Sequence, residues 1–341
     1  MARVDAFNKG RAEGDDEFYT RYEDIQEEMN HYDTFFRDKV VLCNCDDPFE
    51  SNFCKFFLRN FNYLGLKRLI CTSYVSSPVV GTQMTIFDYL DEPVKRGHGY
   101  VMDISEVPMA NGRGVSDDDI EKLLKSKKRG VKKLEGDGDF RSDECIEYLK
   151  QADIVVTNPP FSKFIEYITT LMKYDKRFLI IGRETAVSYK EVFPLLKDDK
   201  IWLGYSHAKE FYRPDGTTKK FGNILWFTNL DVSKRHEEII LYRTYNADEY
   251  PSYQNYDGID VANVSDIPKD YEGNMGVPVS FMNSYNPEQF ELVGYGKGEL
   301  GKSIGVTKNY RGRSDLAICV NGKNSCPFSR IVIRRRRKHE N

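Results

Sequence analysis

The sequence has no run approaching the roughly 20 consecutive apolar residues that would span a bilayer, and no membrane helix is expected. Its N-terminus, MARVDAFNKGRAEGDDEFYTRYEDI, lacks the apolar stretch of a secretory signal, so the expectation is a chain that stays in the cytoplasm. Internal repeats and low-complexity blocks are missing too, which sets aside a solenoid or a scaffold of linkers. Cysteine supplies no pattern. The seven residues, Cys43, Cys45, Cys54, Cys71, Cys145, Cys319 and Cys326, form an odd, scattered set that suits a reducing compartment, and no disulfide framework is implied. No second C-x-x-C pair and no nearby histidine completes a zinc site, so no metal is expected.

What is present is globular composition: 341 residues, 40% hydrophobic and 13% aromatic, enough for one large domain and a smaller one. A net charge of −3 argues on its face against a nucleic-acid partner, but the charge is uneven. Between Val293 and Asn341 stand twelve Lys or Arg against three Asp or Glu, a local balance of +9 that leaves the rest of the chain at −12. That stretch can follow a phosphate backbone and the remainder cannot. The competing reading is a solvated tail, IRRRRKHEN, from Ile333 onward.

Periodicity gives the organisation. Lys39 to Asn44 reads as a strand, Glu50 to Leu64 as a helix with Phe53, Phe56, Phe57, Phe61 and Leu64 on one face, and Lys67 to Thr72 as the next strand after a break at Gly65. Gly99 to Ile104 predicts a third strand. Ser116 to Arg129 predicts a helix whose acidic first turn and basic last turn suit the helix dipole. Asp143 to Lys150 (helix), Asp153 to Thr157 (strand), Ser162 to Tyr174 (helix) and Arg177 to Ile181 (strand) continue the alternation, which means a parallel sheet covered by helices. Lys200 to Tyr205 and Asn223 to Thr228 predict an antiparallel pair joined by a long hairpin loop containing Pro-Asp-Gly, and Glu238 to Arg243 one strand more. A domain boundary falls near Asn246.

The strongest local signal is DIVVTNPPFSKFIEYI, a buried strand running into Asn158, Pro159, Pro160 and Phe161 and then into a helix. Ligands of open α/β sheets bind outside the carboxyl ends of the strands. Two prolines fix φ twice and remove two N–H donors, leaving a rigid array of acceptors. Such an array suits an aromatic amine: the Asn158 side-chain oxygen and the Pro159 carbonyl each accept one amino hydrogen and favour the tetrahedral nitrogen of methyl transfer, with Phe161 stacked on the ring. A base in a duplex has to be flipped out to reach such a pocket. The bland alternative is a tight turn that only ends a strand.

The N-P-P-F turn resembles motif IV of the amino-methyltransferases, and the whole chain resembles the EcoRI-type family of adenine-specific DNA methylases in length and motif order. The resemblance implies an α/β fold: a Rossmann-like, S-adenosylmethionine-dependent methyltransferase domain with a mixed seven-stranded sheet and a smaller C-terminal DNA-recognition region. It divides the chain into a cofactor-contacting arm at 1–35, a catalytic domain at 36–245 and a basic target-recognition region at 246–341.

Three further segments carry the resemblance. Asp15 to Gln26 is similar to the N-terminal motif that places Phe18, Tyr19 and Thr20 near the methionine part of the cofactor; as residues alone it also reads as an amphipathic capping helix. Cys45-Asp46-Asp47-Pro48-Phe49 is similar to the D-P-F form of motif I, with Asp47, Pro48 and Phe49 at the cofactor and Asp47 on its ammonium group. Gly138-Asp139-Phe140 is similar to motif III, where Asp139 accepts from the cofactor's adenine amino group and Phe140 packs on that ring, although Gly-Asp-Gly-Asp is also ordinary turn composition. Asn158 borders the cofactor as well. Two departures stand out: Glu50, Ser51 and Asn52 replace the glycines expected after motif I, and ICTSYV lacks the acidic residue that would hold the ribose.

For recognition of double-stranded DNA the resemblance points to the C-terminal part, where Lys302, Lys308, Arg311 and Arg313 sit among loop-forming residues able to reach phosphates and guanine edges. Lys125, Lys127, Lys128 and Arg129 are a second phosphate contact or a solvated face. The implied partner protein is a restriction endonuclease acting on the same site without a stable complex. Two alternatives stay open from the sequence: the same chemistry on RNA or protein glutamine, and a DNA-binding relative without turnover.

Overall fold

The computed structural model describes residues 19–48, 51–74, 98–108, 115–124, 131–212 and 217–336. Phe18, Phe49, the basic run from Lys125 to Arg129 and the tail from Arg337 to Asn341 lie outside the described residues. The chain forms two compact units. One gathers the described residues up to Glu184 with Ser206–Leu230; the other gathers Thr185–Tyr205 with the residues from Asp231 onward.

In chain order the elements are β1 (Tyr19–Thr20), α1 (Tyr22–Met29), β2 (Val40–Cys43), α2 (Asn52–Leu64), β3 (Arg68–Ser73), β4 (Tyr100–Ile104), α3 (Asp117–Leu124), β5 (Val131–Lys133), α4 (Asp143–Gln151), β6 (Ile154–Thr157), α5 (Phe164–Lys173), β7 (Arg177–Arg183), α6 (Phe193–Lys197), β8 (Trp202–Tyr212) and β9 (Thr218–Thr228). Among the described residues they build a sheet of nine strands, ordered β1-β8-β9-β7-β6-β2-β3-β4-β5, where seven were expected. The two-residue β1, antiparallel to the end of β8, and the three-residue β5, antiparallel to β4, are too short to show periodicity. The central strands β3, β2, β6 and β7 are parallel, and β2 and β6 are buried at every residue, the burial that continuous apolar runs predict. β4 and β9 run antiparallel to their neighbours β3 and β7, so the sheet is mixed.

From β2 the chain crosses through α2 to β3 on one side, while β6 pairs on the other side of β2. The strand order therefore reverses between β2 and β6, and the crevice outside their carboxyl ends is the switch point of the sheet. α2 starts where the Ser51 hydroxyl accepts from Phe53 N–H and ends at Gly65, in the left-handed conformation at φ 63°. α1 is fastened by Glu28, fully buried, whose carboxylate accepts from Ser206 N–H at 2.6 Å, Ser206 Oγ at 2.7 Å and Tyr32 Oη at 2.8 Å.

Several expectations need correcting. Cys54 of α2 and Cys71 of β3 face the same core space, 6.6 Å apart at Cα, and are joined as a disulfide. The hairpin is made of long strands rather than a long loop, since β8 and β9 each run eleven residues. The segment from Glu238 to Arg243 is no strand: the Gln289 side chain takes up the Ile239 N–H and carbonyl at 2.8 Å each, leaving Ile240 and Tyr242 exposed.

The second unit holds β10 (Ile259–Asp260), β11 (Met275–Pro278), β12 (Phe290–Tyr295), α7 (Gly298–Ser303), β13 (Ile318–Val320), β14 (Lys323–Ser325) and β15 (Arg330–Arg335), with a sheet ordered β10-β11-β15-β12 and the small pair β13-β14. Arg330 and Asp260 form a buried ion pair at 2.8 Å, and Tyr253 Oη donates to the same carboxylate at 2.7 Å. Among the described residues no helix is long and apolar enough to cross a membrane.

In β7, Gly182 lies between the rings of Phe164 and Phe227, whose centroids are 5.1 Å apart. A Cβ there would stand 2.7 Å from Phe164 Cζ and 2.9 Å from Phe227 Cε2. Gly182→Ala is expected to cost about 1–3 kcal/mol in urea unfolding, as overpacked cores do. A wild-type midpoint would show that the two rings part freely.

Candidate active site

β2 ends in Asn44-Cys45-Asp46-Asp47 and β6 in Asn158-Pro159-Pro160, side by side at the switch point. Between them lies a cavity of about 220 Å³. Asn44 to Asp47 line one wall; Asn158, Pro160, Ser162 and Lys163 line the other. Gly138, Asp139 and Phe140 close one end, and Tyr19, Ser73 and Tyr74 complete the lining. Gly138, at φ 80°, packs directly on the Ser73 carbonyl, where a side chain has no room. The four segments singled out in the sequence thus meet at one space.

The predicted residues are not all at that space. Tyr19 and Asp47 line it, as do Asp139, Phe140, Asn158 and Pro160. Thr20, Pro48 and Pro159 are buried beside it. Thr20 is paired with Phe211, and its carbonyl accepts from Asn52 Nδ2 at 2.8 Å. Phe161 lies among aromatic rings, nearly perpendicular to Phe221 at 6.0 Å and to Phe211 at 6.4 Å, with the Arg183 guanidinium 5.1 Å from its centroid. Phe140 is buried against Tyr167, ring centroids 5.0 Å apart.

Asp139 accepts from Arg141 N–H and Nε at 2.9 Å each on one oxygen, and from Arg141 Nη2 at 2.7 Å and Lys163 Nζ at 3.3 Å on the other. These hydrogen bonds, led by the Arg141 side chain, hold its carboxyl well below the usual carboxylate range. A carboxylate offers about four lone-pair positions, and here each has a donor. An amino group arriving at Asp139 displaces one of them, and Lys163 is the most distant.

The residues that replace the expected glycines have their own work. Ser51 caps α2 and donates to Asp46 Oδ1 at 2.6 Å, while Asn52 ties α2 to Thr20. Thr157 Oγ1 donates to Asp46 Oδ2, the Asn158 backbone N–H adds a third hydrogen bond, and Tyr167 Oη donates to the Asn44 side-chain oxygen. Asp46, Asn44, Lys163 and Tyr167 were not singled out from the sequence. Of two adjacent aspartates, the sequence does not say which turns inward; Lys163 and Tyr167 share a helical face four residues apart behind the N-P-P-F turn, a signal that was available.

In the second unit Lys302 and Lys308 are exposed and stand apart from Arg311 and Arg313, which line one cavity of about 310 Å³ with Lys297 and Phe328. Asn309 shapes their turn: its Oδ1 accepts from Arg311 N–H at 2.8 Å and Arg313 N–H at 3.2 Å, with Gly312 between them at φ 70°.

Burial raises the Asp46 carboxyl from 3.8 to about 6, against the lowering effect of its three hydrogen bonds; Asp47 adds to the rise. Cys43, Cys45 and Tyr167 face it as further acids whose own protons it helps retain. Because the folded value lies above the unfolded one, the native state keeps a proton that the unfolded chain has released. The stability that Asp46 contributes is therefore full below pH 3.8 and is lost as pH rises through about 6. The difference in urea stability between wild type and Asp46→Asn is expected to shrink by about 1–1.5 kcal/mol from pH 5 to pH 8. A flat or rising difference would show that Asp46 titrates as an ordinary carboxylate.

Comparisons with known proteins identify the family. A family model described as adenine-specific methyltransferase EcoRI matches residues 6–336. Type II methyltransferase M.EcoRI of Escherichia coli is 43% identical over 350 residues, 97% of this chain and 96% of that protein. M.MpnI of Mycoplasma pneumoniae is 33% identical over 97% of this chain and 98% of its own length, and M.MgeORF184P of Mycoplasma genitalium is 36% identical over 84% and 85%. No solved structure matches. With a matching family model and close relatives that both run nearly end to end, the chain belongs to the EcoRI-type family of adenine-specific DNA methyltransferases.

Proposed function

We propose that the chain transfers a methyl group from S-adenosylmethionine to N6 of an adenine flipped out of double-stranded DNA, at the cavity between the ends of β2 and β6. The observation that carries the reading is the meeting of Asp47 and the Asn158 turn at one cavity on the switch point of the sheet. The donor set fits the cofactor: a carboxylate at the strand end for its ammonium, aromatic Tyr19 and Phe140 for its apolar parts, and acidic Asp139 at the end of the cavity for its adenine. Thr20 and Pro48, buried beside the cavity, back this contact set, to which the family resemblance adds Phe18 and Phe49.

The cofactor, when bound, supplies an electrophilic methyl group on a sulfonium. The Asn158 side-chain oxygen and the Pro159 carbonyl accept the two hydrogens of the adenine amino group, which draws its lone pair out of the ring and onto the tetrahedral nitrogen that attacks. The Pro160 carbonyl is already engaged by Lys163 N–H at 2.9 Å. Phe161, held by Phe211, Phe221 and Arg183, supports the target ring. The amine sheds its extra proton to water, so no metal or covalent enzyme species is required.

In this reading residues 1–35 serve as the cofactor-contacting arm, 36–245 as the catalytic domain and 246–341 as the recognition region, in a cytoplasmic protein paired with an endonuclease of the same site specificity. Lys302, Lys308, Arg311 and Arg313 contact DNA, with Arg311 and Arg313 presented on a shared, preorganised turn. Incubation with methyl-labelled cofactor and unmethylated DNA, followed by digestion to nucleosides, is expected to yield label as N6-methyl-deoxyadenosine; label confined to RNA or to protein glutamine would overturn the reading. Arg311→Ala and Arg313→Ala are each expected to flatten the dependence of log binding constant on log salt by about 1 while leaving cofactor binding intact. An unchanged slope would remove the phosphate contact.

A further inference from the structure

Asp46 takes no part in the chemistry just described, yet it joins three strands and a helix of the site. Its Oδ1 accepts from Ser51 Oγ at 2.6 Å, on the first turn of α2. Its Oδ2 accepts from Thr157 Oγ1, the last residue of β6, and the Asn158 N–H donates to the same carboxylate. Its own N–H donates to the Thr72 carbonyl at 3.2 Å, near the end of β3. Once ionised, Asp46 can only accept, so Ser51 Oγ, which also accepts from Phe53 N–H, donates its proton to it. Only a carboxylate presents acceptors alone on both of its atoms; an amide would turn a donor toward one of these donors.

We propose that Asp46 is a positioning residue for methyl transfer, locking the Asn158 turn to the loop Asn44–Asp47 so that target amine and methyl donor are held in line. The proposal rests on the methyl-transfer reading above. Its consequence is specific. The loop holds the cofactor side of the cavity and the turn holds the target side, so loosening the tie between them alters their mutual distance more than either binding surface. Misplacement on the order of 1 Å can cost a hundredfold in rate, whereas cofactor affinity depends on contacts within one side. Tyr167 Oη, on the helix that follows the turn, adds a second tie to the loop through the Asn44 side chain.

Thr157 gives the cleanest test, because valine keeps its shape and removes only the hydroxyl. Thr157→Val is expected to lower kcat at saturating DNA and cofactor by about 10- to 100-fold, while the cofactor Kd from calorimetry stays within about threefold of wild type and the DNA KM changes little. Thr157→Ser, which restores the donor, should recover most of kcat, and Asp46→Asn should lose at least as much as the valine variant. The proposal is overturned if Thr157→Val keeps wild-type kcat, if serine fails to rescue, or if the loss appears in cofactor Kd instead of kcat. A wild-type protein that binds cofactor and leaves DNA adenine unmodified would instead overturn the methyl-transfer reading, and the role of Asp46 with it. Should Asp46→Asn fail to fold, the Thr157 pair still decides.

Discussion

One buried carboxylate joins the two strand ends on which the proposed active site is built. β2 and β6 are neighbours in the sheet, but backbone pairing fixes them only as far as their last paired residues; the chain beyond them is loop. Asp46 carries the order past that point by collecting donors from Thr157, Asn158 and Ser51. A buried carboxylate left unsatisfied would be destabilising by several kcal/mol, so the arrangement works in both directions. The site organises the acid, and the acid organises the site.

The same constraint explains how the chain manages without glycines after its first strand. In place of a bare backbone it uses side chains: Ser51 caps α2 and reaches Asp46, and Asn52 holds the Thr20 carbonyl. The second of these contacts brings Tyr19 to the cavity, and the buried Glu28 anchors α1 behind it on Ser206. Residues 19–29 are therefore built into the first unit as an edge strand and a docked helix.

Most of the central sheet was legible in the sequence because its strands are short apolar runs between well-marked helices, and the strand-turn-helix around Asn158 was legible because two prolines have few other uses there. Less local matters were hidden. The direction of β4 depends on its partner β3, and the pairing of β1 and β5 on neighbours 29 or more residues away. Glu238 to Arg243 has strand composition, but its backbone found a glutamine side chain instead of a ladder. Asp139 was singled out in the sequence and lines the cavity, whereas its four donors, one of them Lys163 from beyond the Asn158 turn, become visible only in three dimensions.

The claim at the centre of this account is that the Asn158 turn performs the transfer while the rest of the cavity holds the methyl donor. Cofactor binding and single-turnover methylation of DNA, measured side by side in Asn158→Ala, test it most directly. The account predicts a protein that still binds S-adenosylmethionine but methylates adenine about a hundredfold more slowly or worse, the usual cost of removing one preorganised acceptor or donor from a reacting group. Methylation at close to the wild-type rate would contradict it.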